Sequence, residues 1–177
     1  MKALKDHIDE ALKIGKDISN FSTYSCKPKT KEELEHFIDR RVSQEGPNCN
    51  LNDIDTSLIT DMSFLFYTTD FNGDISEWNV SNVKEMWCMF SGSEFNGDIS
   101  NWNVANVENM SGMFERSKFN KDISKWNVSN VKNMSDMFSY SNFNQDISNW
   151  KINEKCETYD MFAGCRIRNE YKPKSLQ

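Results

Sequence analysis

Histidine is nearly missing from this 177-residue chain, which has only His7 and His36. Each falls on a separate helical stretch, so no Ser-His-Asp or Cys-His set can be assembled and no catalytic residues are expected. Glycine is scarce as well, with seven residues and none in a glycine-rich phosphate loop. The five cysteines, Cys26, Cys49, Cys88, Cys156 and Cys165, are odd in number, irregular in spacing and without a CxxC pair. They imply neither a zinc site nor a disulfide framework, and no cofactor is expected. No apolar run is long enough to span a bilayer. The opening Met1-Lys2-Ala3-Leu4-Lys5-Asp6-His7 begins a charged amphipathic stretch rather than an export signal. The expectation is a cytoplasmic protein with reduced thiols and no membrane association.

Large apolar side chains, by contrast, are plentiful: twelve Phe, nine Met and five Trp. They suffice for a narrow core, and the length fits one domain. The net charge of −6 is unevenly placed. Residues 1–46 hold nine basic and nine acidic residues, residues 47–150 hold six and fourteen, and residues 151–177 hold six and four. The middle of the chain thus carries −8. That argues against direct binding of nucleic acid, and is read either as solubility or as a surface for a basic protein.

The dominant feature is a repeat. Phe71-Asn72-Gly73-Asp74-Ile75-Ser76 returns at Phe95, Phe119 and Phe143, a step of 24 residues each time. Trp78, Trp102, Trp126 and Trp150 follow, then Val80, Val104, Val128 and Ile152. Met89-Phe90, Met113-Phe114, Met137-Phe138 and Met161-Phe162 close the units. A degenerate earlier copy aligns as Leu51, Ile54, Ile59, Met62 and Leu65-Phe66, which makes about five units over 47–166. Such units bury little alone and must stack on one another.

Within a unit, Ile75, Trp78, Val80 and Val83 follow the leucine-rich-repeat spacing, and Trp78-Asn79-Val80 alternates as a short strand would. Val83, Met86 and Met89-Phe90 then step by three, which suits short helices or turns. The fold class expected is α/β: a leucine-rich-repeat-like right-handed solenoid of about five coils. Short parallel strands would line its concave face, with short helices or turns on the convex face and an α-helical N-terminal cap.

These units resemble those of the BspA-like bacterial leucine-rich-repeat family, which read much as FNGDISxWNVSNVxxMxxMF. The likeness extends to the lead-in from Lys29-Thr30-Lys31-Glu32-Glu33-Leu34 to Leu51-Asn52-Asp53-Ile54-Asp55. It implies the leucine-rich-repeat fold. Since members are mostly large bacterial or protist surface proteins, it also implies a link to adhesion.

Residues 1–46 read as a helical N-terminal cap. Leu4, Ile8, Ala11, Leu12 and Ile14 hold a helical period over 1–17, and Thr30 with Glu33 is a capping box opening a second helix that ends near Gly46-Pro47. Residues 47–166 form the repeat region and 167–177 a C-terminal tail.

Outward residues beside each presumed strand form the candidate partner-binding face. They are Asp53, Asp55, Glu77, Asn79, Asn101, Asn103, Lys125, Asn127, Asn149 and Lys151. The central Asn column is expected to hydrogen-bond along itself as a ladder. Asp74, Asp98, Asp122 and Asp146 are expected to accept backbone N–H bonds rather than bind calcium, since one carboxylate per unit is too few for that ion. The function expected is a non-enzymatic interaction module, monomeric or a weak cap-to-cap dimer, that binds a protein through its concave face. The alternatives are a small acidic inhibitor or decoy, anti-CRISPR-like, docking on a basic nucleic-acid-handling protein, and a relative of bacterial surface adhesins.

Overall fold

The computed structural model describes residues 26–177. The helix expected over 1–17 lies outside them. Helix α1, Lys31–Glu45, forms where the capping box places it: Thr30 accepts the N–H of Glu33, and the Glu33 carboxylate reaches back to the N–H of Lys29. Leu34 and Ile38, four residues apart, are the buried stripe. At the far end Gly46 takes φ 88 and closes onto the Val42 carbonyl. Arg41 fastens the helix to the first unit, with both oxygens of Asp53 at 2.7 and 2.9 Å and the Asn50 carbonyl at 2.9 Å.

The leucine-rich-repeat architecture is not what forms. Among the described residues there is no β-strand, no sheet and no helix within the repeats. Apart from α1 and two short 3-10 turns, Asn169–Tyr171 and Lys174–Leu176, the chain is turn and irregular backbone. Parallel pairing is confined to six isolated bridges, such as Asp61 with Glu85 and Glu85 with Asn109. The α/β solenoid with strands on a concave face and short helices on a convex one is thereby corrected.

The reason lies in the turns. Trp78 and Val80 do point inward and Asn79 outward. However, the N–H of Trp78 closes on the Ile75 carbonyl at 3.2 Å and that of Val83 on the Val80 carbonyl at 3.0 Å. A backbone that reverses at such short intervals cannot sustain the two-residue pleat of a ladder. Apolar spacing records which side chains face the core, not whether strand or turn carries them.

Units nevertheless contact one another at the 24-residue step. The N–H groups of Met62, Phe64, Phe66 and Thr68 donate to the carbonyls of Glu85, Trp87, Met89 and Ser91 at 2.8–3.1 Å, and Met86, Cys88, Phe90 and Gly92 repeat the set one unit on. Two columns of left-handed backbone accompany these bonds. One runs through Phe64, Cys88, Gly112, Asp136 and Asp160, the other through Thr68, Gly92, Arg116, Tyr140 and Gly164.

Rings fill the interior. Phe66, Phe90, Phe114, Phe138 and Phe162 stack at 5.5–5.8 Å, nearly parallel. Phe71, Phe95, Phe119 and Phe143 form a second column at 6.1–6.3 Å. The indole N–H groups of Trp78, Trp102, Trp126 and Trp150 each donate to a carbonyl 27 residues earlier. Each buried Phe or Met contributes on the order of 1.5–3 kcal/mol, so the repeat's own side chains supply the core. The tail closes the last unit, with Ile167 and Pro173 buried and the Tyr171 carbonyl accepting the N–H of Ile147.

Candidate partner-binding face

Eight of the ten expected face residues are exposed: Glu77, Asn79, Asn101, Asn103, Lys125, Asn127, Asn149 and Lys151. The other two are engaged within the fold. Asp53 is held by Arg41, and Asp55 by Lys27 at 2.8 Å and by the N–H of Ser57 at 3.0 Å. Burial pushes the Asp55 carboxyl up, but the bonds from Lys27 and Ser57 outweigh it and the group ends below the usual carboxylate range.

The expected Asn ladder does not run through Asn79, Asn103 and Asn127. Each turns its side-chain oxygen onto the N–H two residues ahead, at 3.1–3.2 Å. Such Asx-type bonds to the chain's own backbone compete with contacts to the next unit. Ladders form elsewhere. Asn72, Asn96, Asn120 and Asn144 accept the N–H of Asn96, Asn120, Asn144 and Arg168 in turn. Asn82, Asn106 and Asn130 donate back to the carbonyls of Ser57, Ser81 and Ala105.

Beside the face lies a polar groove. One hollow of about 270 Å³ is lined by Asp98, Ser100, Lys121, Asp122 and Lys125, and Asp122 continues it into a second of about 360 Å³ with Asp146 and Asn149. Asp98, Asp122 and Asp146 cap turns here, each accepting the N–H of the serine two residues on. Those bonds hold the three carboxyls below their ordinary range. The groups therefore stay ionised, which suits ion pairing with a partner and not proton transfer. Among the described residues no group of three or more His, Cys, Asp or Glu is placed to hold a metal ion, and no helix is long and apolar enough to cross a membrane.

Two features escaped the spacing argument. A third hollow, about 400 Å³, is lined by Asn82, Lys84, Asn106, Glu108, Asn130 and Lys132, with Glu108 paired to both lysines. Exposed rings at Phe64, Tyr67 and Trp87 are the other. The available signal was aperiodicity, because Trp87 is the one Trp off the 24-residue step.

A family described as "Mycoplasma protein of unknown function, DUF285" matches residues 34–140 and, in an overlapping second match, 115–173. No curated protein matches the chain. No solved structure matches it either.

Proposed function

We propose that this chain, which belongs to the DUF285 family of repeat proteins, is a non-enzymatic module that binds a protein partner on the face from Glu77 to Lys151. One observation supports this most. Side chains that recur at every step are committed to the fold, as Trp, Phe and Met in the core and as Asn and Asp in turns. The outward column instead reads Glu77, Asn101, Lys125 and Asn149, changing charge from unit to unit. A constant scaffold with a varied surface is how repeat proteins acquire specificity.

The test is affinity capture with tagged protein, followed by the variant Glu77→Lys/Lys125→Glu. Both positions are exposed and cap no turn, so circular dichroism should be unchanged. A partner bound by the parent and lost in the variant supports the reading. A partner retained in the variant removes this face from consideration.

The −8 charge of residues 47–150 favours a basic partner surface. That is the setting in which an acidic inhibitor or decoy of a nucleic-acid-handling protein would work, and steep weakening of binding between about 0.05 and 0.5 M salt would support it. The closer kinship to BspA-like repeats, and through them to surface adhesins, rests on the FNGDIS and WNVSNV blocks; labelling of intact cells tests it.

A further inference from the structure

We propose that the exposed cluster of Phe64, Tyr67 and Trp87 is a docking point for a basic protein segment, with an arginine or lysine side chain seated on its rings. None of these three residues belongs to the Glu77–Lys151 face.

The repeat itself makes the cluster informative. The four Trp on the 24-residue step are 4–5 % exposed, whereas Trp87 is 41 % exposed, with Phe64 at 38 % and Tyr67 at 47 %. In later units the Phe64 position holds Cys88, Gly112, Asp136 and Asp160, and the Tyr67 position holds Ser91, Glu115 and Ser139. No packing requirement of the repeat therefore calls for rings there. Phe64 meets Trp87 edge-on at 4.2 Å and Tyr67 at 5.5 Å, so the three form one patch. Phe64 also holds φ 61, a strained backbone for a non-glycine residue that Gly112 adopts without penalty two units on.

Charge identifies the occupant. Asp61 and Glu85 are bridged neighbours, three residues from Phe64 and two from Trp87 respectively. Neither forms an ion pair among the described residues. Lys31 stands 6.0 Å from the Phe64 ring, but among the described residues no cation covers Trp87 or Tyr67. Elsewhere the chain itself pairs tyrosines with guanidinium: Arg116 lies 5.6 Å from the Tyr140 ring and Arg168 5.3 Å from that of Tyr171. The Trp87 and Tyr67 rings, without a cation among the described residues, and two nearby carboxylates outside any ion pair complement a cation carried on a partner chain.

Trp87 serves as the reporter. A synthetic amidated peptide of alternating Arg and Leu, and a Glu-Leu counterpart, are titrated into the full chain and followed by Trp fluorescence and calorimetry. The basic peptide is expected to saturate with an emission shift and the acidic one to leave the signal unchanged. Phe64→Gly should weaken binding at least tenfold while the thermal midpoint holds or rises. Trp87→Ala, and Asp61→Asn/Glu85→Gln, which keeps the Asp61 cap on Ser63, should weaken it to a similar degree. Binding that survives in Phe64→Gly and Trp87→Ala would show that general acidity is responsible, and overturns the proposal. So does equal binding of the acidic peptide, no binding of either, a preference for single-stranded RNA over the basic peptide, or a lower thermal midpoint in Phe64→Gly.

Discussion

The indole N–H of Trp102 donates to the carbonyl oxygen of Ile75, 27 residues earlier, at 3.1 Å. The Trp102 ring also lies parallel to that of Trp78, 6.5 Å away. One side chain thus joins neighbouring units by stacking and by a buried hydrogen bond. Trp102→Ala should cost ~3–5 kcal/mol through the cavity and the orphaned carbonyl. Trp102→Phe keeps much of the stack and should lose ~1–2 kcal/mol with the bond. Urea unfolding of the two variants measures the difference, and equal losses would remove the hydrogen bond from the account.

Gly73 tolerates no side chain. A Cβ there would lie 2.0 Å from the Cys49 carbonyl oxygen, because the N–H of Asp74 draws that carbonyl in at 3.1 Å. Gly97 is less confined, its nearest backbone atom being the Gly73 oxygen at 3.3 Å. Gly73→Ala should therefore lower the thermal midpoint clearly more than Gly97→Ala. Lys121 and Gln145 at the matching positions show that the constraint is local to the second unit.

Thr68 and Gly92 share one left-handed column, at φ 53 and φ 66. A β-branched residue there carries ~1–2 kcal/mol of strain, against ~0.5–1 kcal/mol for the extra freedom glycine has when unfolded. Thr68→Gly should raise the thermal midpoint by about 2–4 °C. Gly92→Ala should lower it, since the new Cβ would also meet the Thr68 methyl at 3.0 Å. Scanning calorimetry on the pair and their double variant tests sign and coupling together.

Acid should destabilise the chain through a defined set of groups. The N–H of Ser76, Ser100, Ser124 and Ser148 reaches Asp74, Asp98, Asp122 and Asp146 at 2.9–3.0 Å, holding these carboxyls below their usual range. The folded state binds these protons more weakly than the unfolded chain. Their contribution is therefore complete above the unfolded pKa of ~4 and disappears as pH falls through the lower folded values. The thermal midpoint should be level from about pH 7 to 5 and drop below about 4. Changing all four to Asn keeps an acceptor for the same N–H, as Asn79 shows, and should flatten the acid limb.

Much was legible in the residues alone. The 24-residue step, the inward set from Ile75 to Phe90, the α1 helix with its Thr30 cap and the turn-capping aspartates all follow from local chemistry or strict periodicity. Both act over a few residues, or repeat until they are unmistakable. The backbone between inward residues did not follow, because Trp78-Asn79-Val80 satisfies a strand pattern and a turn pattern equally.

Tertiary structure decided the rest. Backbone closures such as that of the Trp78 N–H on the Ile75 carbonyl, and not side-chain periodicity, settled turn over strand. Local bonds held Asn79, Asn103 and Asn127 out of a ladder, and contacts between units built the ladders at Asn72 and Asn82 and their counterparts instead. Arg41 withdrew Asp53 from the face, a contact between a helix and a loop that no spacing rule contains. The Phe64–Trp87 pair is likewise invisible in sequence, since its members belong to different units and meet only when one unit stacks on the next.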